Sequence, residues 1–138
     1  MVSKILVGVD GSKYADKAFE YAVSLAQRFG PSRLFIVNII EELSTVGQSI
    51  LKELAYERQE MLQRYLAMAR SKKLESVDIM EDKGSSAAEK ILQIALKQDV
   101  DTIVVGSGGN NFPSEEFILG STSFKVAHHA KCTVIIVR

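Results

Sequence analysis

With 138 residues the chain is long enough for one domain, read here as residues 1–138, and too short for two. Apolar residues make up 46% and charged residues 25%, the balance of an ordinary globular protein, and Lys plus Arg equals Asp plus Glu at 17 each. That parity argues against a general nucleic-acid binder and against broad attraction to an anionic membrane, and the lone Cys132 leaves neither an internal disulfide nor a Cys/His zinc cluster.

The first apolar run, Ile5–Val9, reads as a strand that follows directly on Met1, with no basic region and long apolar stretch of a signal peptide. The expected compartment is therefore the cytoplasm. After the loop Val9-Asp10-Gly11-Ser12, residues Ala15, Ala18, Phe19, Ala22, Ala26 and Phe29 recur at helical spacing until Gly30-Pro31 stops them. Leu34–Ile40 is the second strand, and Glu41–Thr45 reads as irregular. From about Val46 to Ser71 the chain is rich in good helix formers, with Ile50, Leu54, Leu62, Tyr65, Leu66 and Ala69 as an apolar face and Met61 and Met68 as packing. The third strand, Val77–Met80, is weaker and more polar, as expected at a sheet edge. Ser86 and Glu89 form a capping-box pattern ahead of Ile91, Leu92, Ala95 and Leu96. Thr102–Val105 is the fourth strand, Gly106–Leu119 reads as irregular, a last helix runs from near Ser121 to His129, and Thr133–Val137 is the fifth strand.

Four of the five strands are nearly unbroken in apolar residues, so both their faces are covered. Strict alternation of strand and helix predicts an α/β fold: a doubly wound five-stranded parallel sheet with helices on both faces, right-handed crossovers and the flavodoxin-like strand order 3-2-1-4-5. No repeat, linker or low-complexity tract interrupts it.

In such sheets ligands bind beyond the carboxyl ends of the strands, where the strand order reverses. The loop after strand one is then set beside Gly106-Ser107-Gly108-Gly109 after strand four, with Gly120-Ser121 opening the next helix. Glycines let backbone N–H groups approach a phosphate, and Gly120, Ser121 and Thr122 offer donors at the positive end of a helix. Asp10 suits a ribose hydroxyl, an adenine amino group or a magnesium ion. The same residues also serve a purely architectural reading, in which the glycines make turns, Asp10 and Ser12 cap one helix and Ser121 caps another. There is no G-x-x-x-x-G-K-[ST] and no G-x-G-x-x-G after strand one, which sets aside the P-loop and dinucleotide-binding classes. Adjacent His128 and His129 point about 100° apart on a helix and read as favourable charge near its C-terminus, and Cys132 as a small hydrophobe.

Ile5-Leu-Val-Gly-Val-Asp-Gly-Ser12, Gly84-Ser-Ser-Ala-Ala-Glu89, Asp101-Thr-Ile-Val-Val-Gly-Ser107, Gly120-Ser121 and Lys131-Cys-Thr-Val-Ile-Ile-Val137 together resemble the universal stress protein family, in matching order over essentially the whole chain. The resemblance implies that Val9 and Ile39 line an adenine pocket, with Asn38 where relatives often carry His. It implies that Asp10 meets the ribose or phosphates, and that Gly106, Gly109, Gly120, Ser121 and Thr122 hold the phosphates of ATP or AMP, with or without magnesium. Between Gly109 and Gly120 stand ten residues, one more than in the ATP-binding members, and they include Glu115 and Glu116.

The last strand leaves an apolar edge with only Arg138 after it, so it is expected to pair with the same strand of a second copy in a homodimer, as the resembled family commonly does. Three functions stay open: a nucleotide-holding regulatory protein with little or no turnover, an interaction or signalling dimer of the same fold without ATP, and a slow ATPase or adenylyl-type transferase.

Overall fold

Strand and helix alternate through nine elements in the computed structural model, which describes residues 2–41, 47–109 and 119–138. They are β1 (Lys4–Gly8), α1 (Lys13–Arg28), β2 (Arg33–Glu41), α2 (Gln48–Ser71), β3 (Val77–Gly84), α3 (Ala87–Lys97), β4 (Thr102–Gly106), α4 (Ser121–His129) and β5 (Thr133–Val137). All strand pairs are parallel and the order is β3-β2-β1-β4-β5, as expected from the alternation.

Period-two alternation sorts the strand residues into two cores. Ile5, Val7, Leu34, Ile36 and Val104 pack with α1 and α2, through Phe19, Leu62, Tyr65 and a small-residue stripe of Ala15, Ala18, Ala22 and Ala26. Leu6, Phe35, Val37, Ile103 and Val105 pack on the other face, against Ala88, Ile91, Ile94 and Ala95 of α3 and Val126 of α4. The central residues Ile5, Leu6, Leu34, Ile36 and Ile103 have no exposed surface, and each such side chain contributes about 1.5–3 kcal/mol of burial free energy.

Chain direction explains the layering. From β1 to β3 the chain steps one way across the sheet, and from β4 to β5 it steps the other way. Right-handed crossovers therefore put α1 and α2 on one face and α3 and α4 on the other. The reversal falls between β1 and β4.

Several boundaries differ from the sequence reading. β3 extends four residues past Met80 to Gly84, because its partner β2 supplies ladder groups as far as Glu41, paired with Gly84. Val9 lies just beyond β1, yet its N–H still donates to Val37 O at 2.8 Å. Phe29 is the C-cap of α1 rather than part of it. The N-cap of α4 is Gly120, and Ser121 is its first helical residue, not its cap. α2 is described from Gln48, so the expected start near Val46 lies outside the described residues. No helix among the described residues is long and apolar enough to cross a membrane.

Candidate functional site

The loop after β1 is built by local hydrogen bonding and by one left-handed residue. Ser12 N–H donates to Asp10 Oδ1 at 2.9 Å, and Ser12 Oγ accepts from Ala15 N–H at 3.1 Å as the N-cap of α1. The capping role read for Ser12 is thus met, and Asp10 supports it from outside the helix. Gly11, between them, has φ +83°, where a side chain is strained. Met61 of α2 closes over it, since a Cβ on Gly11 would stand 2.9 Å from Met61 Sδ.

A second α2 residue braces the same loop. Tyr65 Oη donates to Asp16 Oδ1 at 2.5 Å and its ring lies 4.9 Å from that of Phe19. Burial, then the bond to Asp16 and the nearby charges of Asp16 and Asp10, raise the Tyr65 phenol well above its usual range, against a smaller opposing effect of the Gly11 N–H.

The loop after β4 meets this one from the other side of the reversal. A Cβ on Gly109 would stand 3.0 Å from Asp10 Oδ2, so the backbone at Gly109 lies directly against the Asp10 carboxylate. The loop is fastened at its root: Ser107 N–H donates to Val137 O at 2.9 Å, and Gly120 N–H donates to Ser107 O at 2.8 Å. Ser123 Oγ, buried, reaches Gly120 O at 3.0 Å and Ser107 O at 3.3 Å. The start of α4 is thereby held beside the β4 loop, with Ser121 exposed and Thr122 half-buried.

Of the residues singled out in the sequence, Asp10, Gly109, Gly120, Ser121 and Thr122 gather at the carboxyl ends of β1 and β4. Gly106 lies there too, but a Cβ on it would fall 2.7 Å from the backbone C and O of Tyr14. Its missing side chain is filled by the first turn of α1. Val9 is buried in the core beneath α1 and α2, whereas Ile39 packs against the core on the opposite face. Asn38 is 5% exposed, and its Nδ2 donates to Val9 O at 2.7 Å. The residues from Asn110 through Ser114, Glu115 and Glu116, which carry the extra loop position and the acids, lie outside the described residues. His128 and His129 are exposed in the last turn of α4, with rings 4.8 Å apart edge to face. Among the described residues no three His, Cys, Asp or Glu side chains gather to hold a metal ion.

Sequence reasoning missed Tyr65, Met61 and Ser123. The first two sit on a helical apolar stripe indistinguishable from core, and only Ser123, a hydroxyl at the third position of a helix, carried a local sign.

The fold and the position of these loops define an open, doubly wound α/β protein with its polar groups collected at the switch point between β1 and β4. Residues 1–138 match the universal stress protein family. A Staphylococcus haemolyticus protein named as a universal stress protein is 34% identical over 97% of this chain and 83% of its own. The chain therefore belongs to the universal stress protein family. Among solved structures, UspA from Lactobacillus plantarum superposes with a TM-score of 0.85 at 27% identity, covering 99% of this chain and 97% of that one. An Archaeoglobus fulgidus universal stress protein in complex with dAMP superposes with a TM-score of 0.74 at 18% identity, covering 100% and 98%, and shares the fold.

Proposed function

We propose that this chain is a single nucleotide-holding domain, a regulatory protein with little or no turnover that binds ATP or AMP at the switch point and pairs as a homodimer through Thr133–Val137. The observation that carries the reading is the meeting of Gly109 with Asp10, where a Cβ would stand 3.0 Å from Asp10 Oδ2. Only a bare backbone leaves room there for a phosphate or ribose beside the carboxylate. The start of α4 adds N–H donors and the positive end of a helix dipole. In this reading Asp10 faces the ribose, and a magnesium ion when one accompanies the phosphates. Gly106, Gly109, Gly120, Ser121 and Thr122 border the phosphates, and Val9 and Ile39 flank the base from the two faces of the sheet ends. The dAMP complex of a protein of this fold supports an adenine nucleotide as ligand. The absence of a P-loop lysine supports slow chemistry, and the sequence supports the cytoplasm as compartment.

Titration of ATP and AMP, with and without magnesium, into wild type and Gly109→Val tests this. Wild type binds, and the variant loses binding by about tenfold or more at unchanged melting temperature, because the branched side chain fills the approach to Asp10. A variant that binds as well as wild type places the nucleotide elsewhere. A wild type that binds neither nucleotide leaves the interaction-dimer reading, which the longer acidic segment between Gly109 and Gly120 favours. Efficient steady-state hydrolysis would instead favour the slow-ATPase reading.

A further inference from the structure

We propose that the face of β5 beneath α1 forms, in the paired molecule, a slot that takes an acidic amphipathic helix of a partner protein, one helix to each dimer; the inference rests on the β5 pairing proposed above. The two faces of β5 are covered unequally. On one face, Val134 and Ile136 pack into the core that holds Val126 of α4. On the other, Ile135 and Val137 pack towards the core of α1 and α2. There α1 lies mainly over β4 and β1 and meets β5 with its flank, while α2 lies over β3 and β2.

Contacts tell the two flanks of α1 apart. Asp16 accepts from Tyr65 of α2, and Gln27 Nε2 donates to Lys72 O, just past α2, at 3.4 Å. The stripe Asp16, Glu20, Val23 and Gln27, spaced by three and four residues, therefore faces α2. Ala15, Ala18, Ala22 and Ala26 face the sheet. The third stripe, Lys17, Tyr21, Leu25 and Arg28, has the same spacing and faces away from α2, towards β5. Tyr21 is 47% exposed, and Leu25 is half-buried against the core that Ile135 and Val137 join. Charge is sorted in the same way: both acids of α1 lie on the α2 side, and Lys17 and Arg28 lie on the β5 side.

Antiparallel pairing of β5 with a second copy keeps the same face of both sheets up, so Ile135 and Val137 of the two copies make one apolar floor. From α1, centred between β1 and β4, to α1 of the second copy is four strand spacings, about 19 Å. Packed helices stand about 8–10 Å apart, so the two α1 helices cannot close over the floor and leave the width of one helix between them. Tyr21 and Leu25 of each copy wall that space, rimmed by Lys17 and Arg28. The four like charges oppose closer approach of the two copies and match an occupant of opposite sign. A helix with an apolar stripe flanked by Glu or Asp satisfies floor and rim together.

Fluorescence anisotropy with a labelled helical peptide as long as α1, 16 residues, tests the proposal. The peptide carries Leu at every third or fourth position and Glu between, and its control carries Lys in place of Glu. The wild-type dimer is expected to bind the Glu peptide at least about tenfold more tightly than the Lys peptide, at one peptide per two chains, and less tightly as salt rises. Tyr21→Ser is expected to weaken the Glu peptide several-fold. Lys17→Glu with Arg28→Glu, checked for folding and dimerisation by melting curve and light scattering, is expected to reverse the preference. The milder Lys17→Gln with Arg28→Gln is expected to abolish it, and serves if the reversed variant fails to fold. A dimer that binds neither peptide, binds both alike, takes one peptide per chain or keeps its preference in the charge variants overturns the slot and leaves the β5 pairing standing. Association of wild type beyond the dimer would make a further copy the occupant and also overturns the slot. A monomeric wild type overturns the pairing and the slot together.

Discussion

Asp101 is the most heavily coordinated carboxylate among the hydrogen bonds described, and it stands at the end of the sheet opposite the site. Its Oδ2 accepts from Ser3 N–H at 2.9 Å, Ser3 Oγ at 2.8 Å and Lys4 N–H at 2.8 Å, and its Oδ1 accepts from Thr102 Oγ1 at 2.8 Å. Burial pushes this carboxyl up, but the N–H groups of Lys4 and Ser3 and the hydroxyls of Ser3 and Thr102 outweigh it and hold the carboxyl below its usual range. A depressed native pKa contributes stability above the unfolded value, and that stability is lost as pH falls through the native value. Asp101→Asn is therefore expected to cost about 1 kcal/mol at neutral pH, discounted for partial exposure. The difference from wild type should shrink below about pH 4 as the wild-type carboxyl protonates. Urea unfolding at neutral pH and near pH 3 checks this; an equal cost at both would mean that the charge is not what the four donors stabilise.

The first turn of α1 meets the end of β4 at Gly106. The position of Gly106 admits the backbone of Tyr14 to 2.7 Å from where a Cβ would be, so the first turn of α1 rests on the end of β4. That turn also carries the Ser12 cap and the Asp16 acceptor of Tyr65, which means that α1, α2 and the Asp10 loop are set by one arrangement. Gly106→Ala is expected to push α1 away and destabilise by about 1–3 kcal/mol, the range for forcing extra atoms into a packed region. It should also weaken nucleotide binding indirectly, by moving Asp10. A melting temperature equal to wild type would show that α1 has slack at this contact.

At the scale of the whole molecule, β5 is the edge next to β4, and its Val134, Ile135, Ile136 and Val137 are each only half-buried. Ile135 and Val137 pack towards one core and Val134 and Ile136 towards the other, so the strand is apolar on both faces. An open edge of this kind is an aggregation hazard unless it is paired. We propose that a second copy pairs there about a two-fold axis, which satisfies both edges with one closed interface. Light scattering at tens of micromolar is expected to give a dimer for wild type. Ile135→Pro removes a ladder donor and should give a monomer or an unfolded chain. A monomeric wild type would refute the pairing.

Strand count, strand order and family were legible in the sequence, because each depends on local periodicity and on the handedness of chain crossovers; the helix faces were legible only in part, since Ile50, Met68 and Leu96, read as apolar face or packing, are exposed. Gly109, Gly120, Ser121 and Thr122 were singled out by short-range composition, and the structure gathers them at the carboxyl ends of β1 and β4. Gly106 read as one of them, but its bare backbone accommodates Tyr14, a contact between residues far apart in the chain. Tyr65 and Met61 read as core and are also braces of the Asp10 loop, and the reach of β3 to Gly84 was hidden because a ladder depends on its partner as much as on itself. Periodicity along one chain determined which elements form and which way they face; packing between elements decided what each polar atom is left to meet.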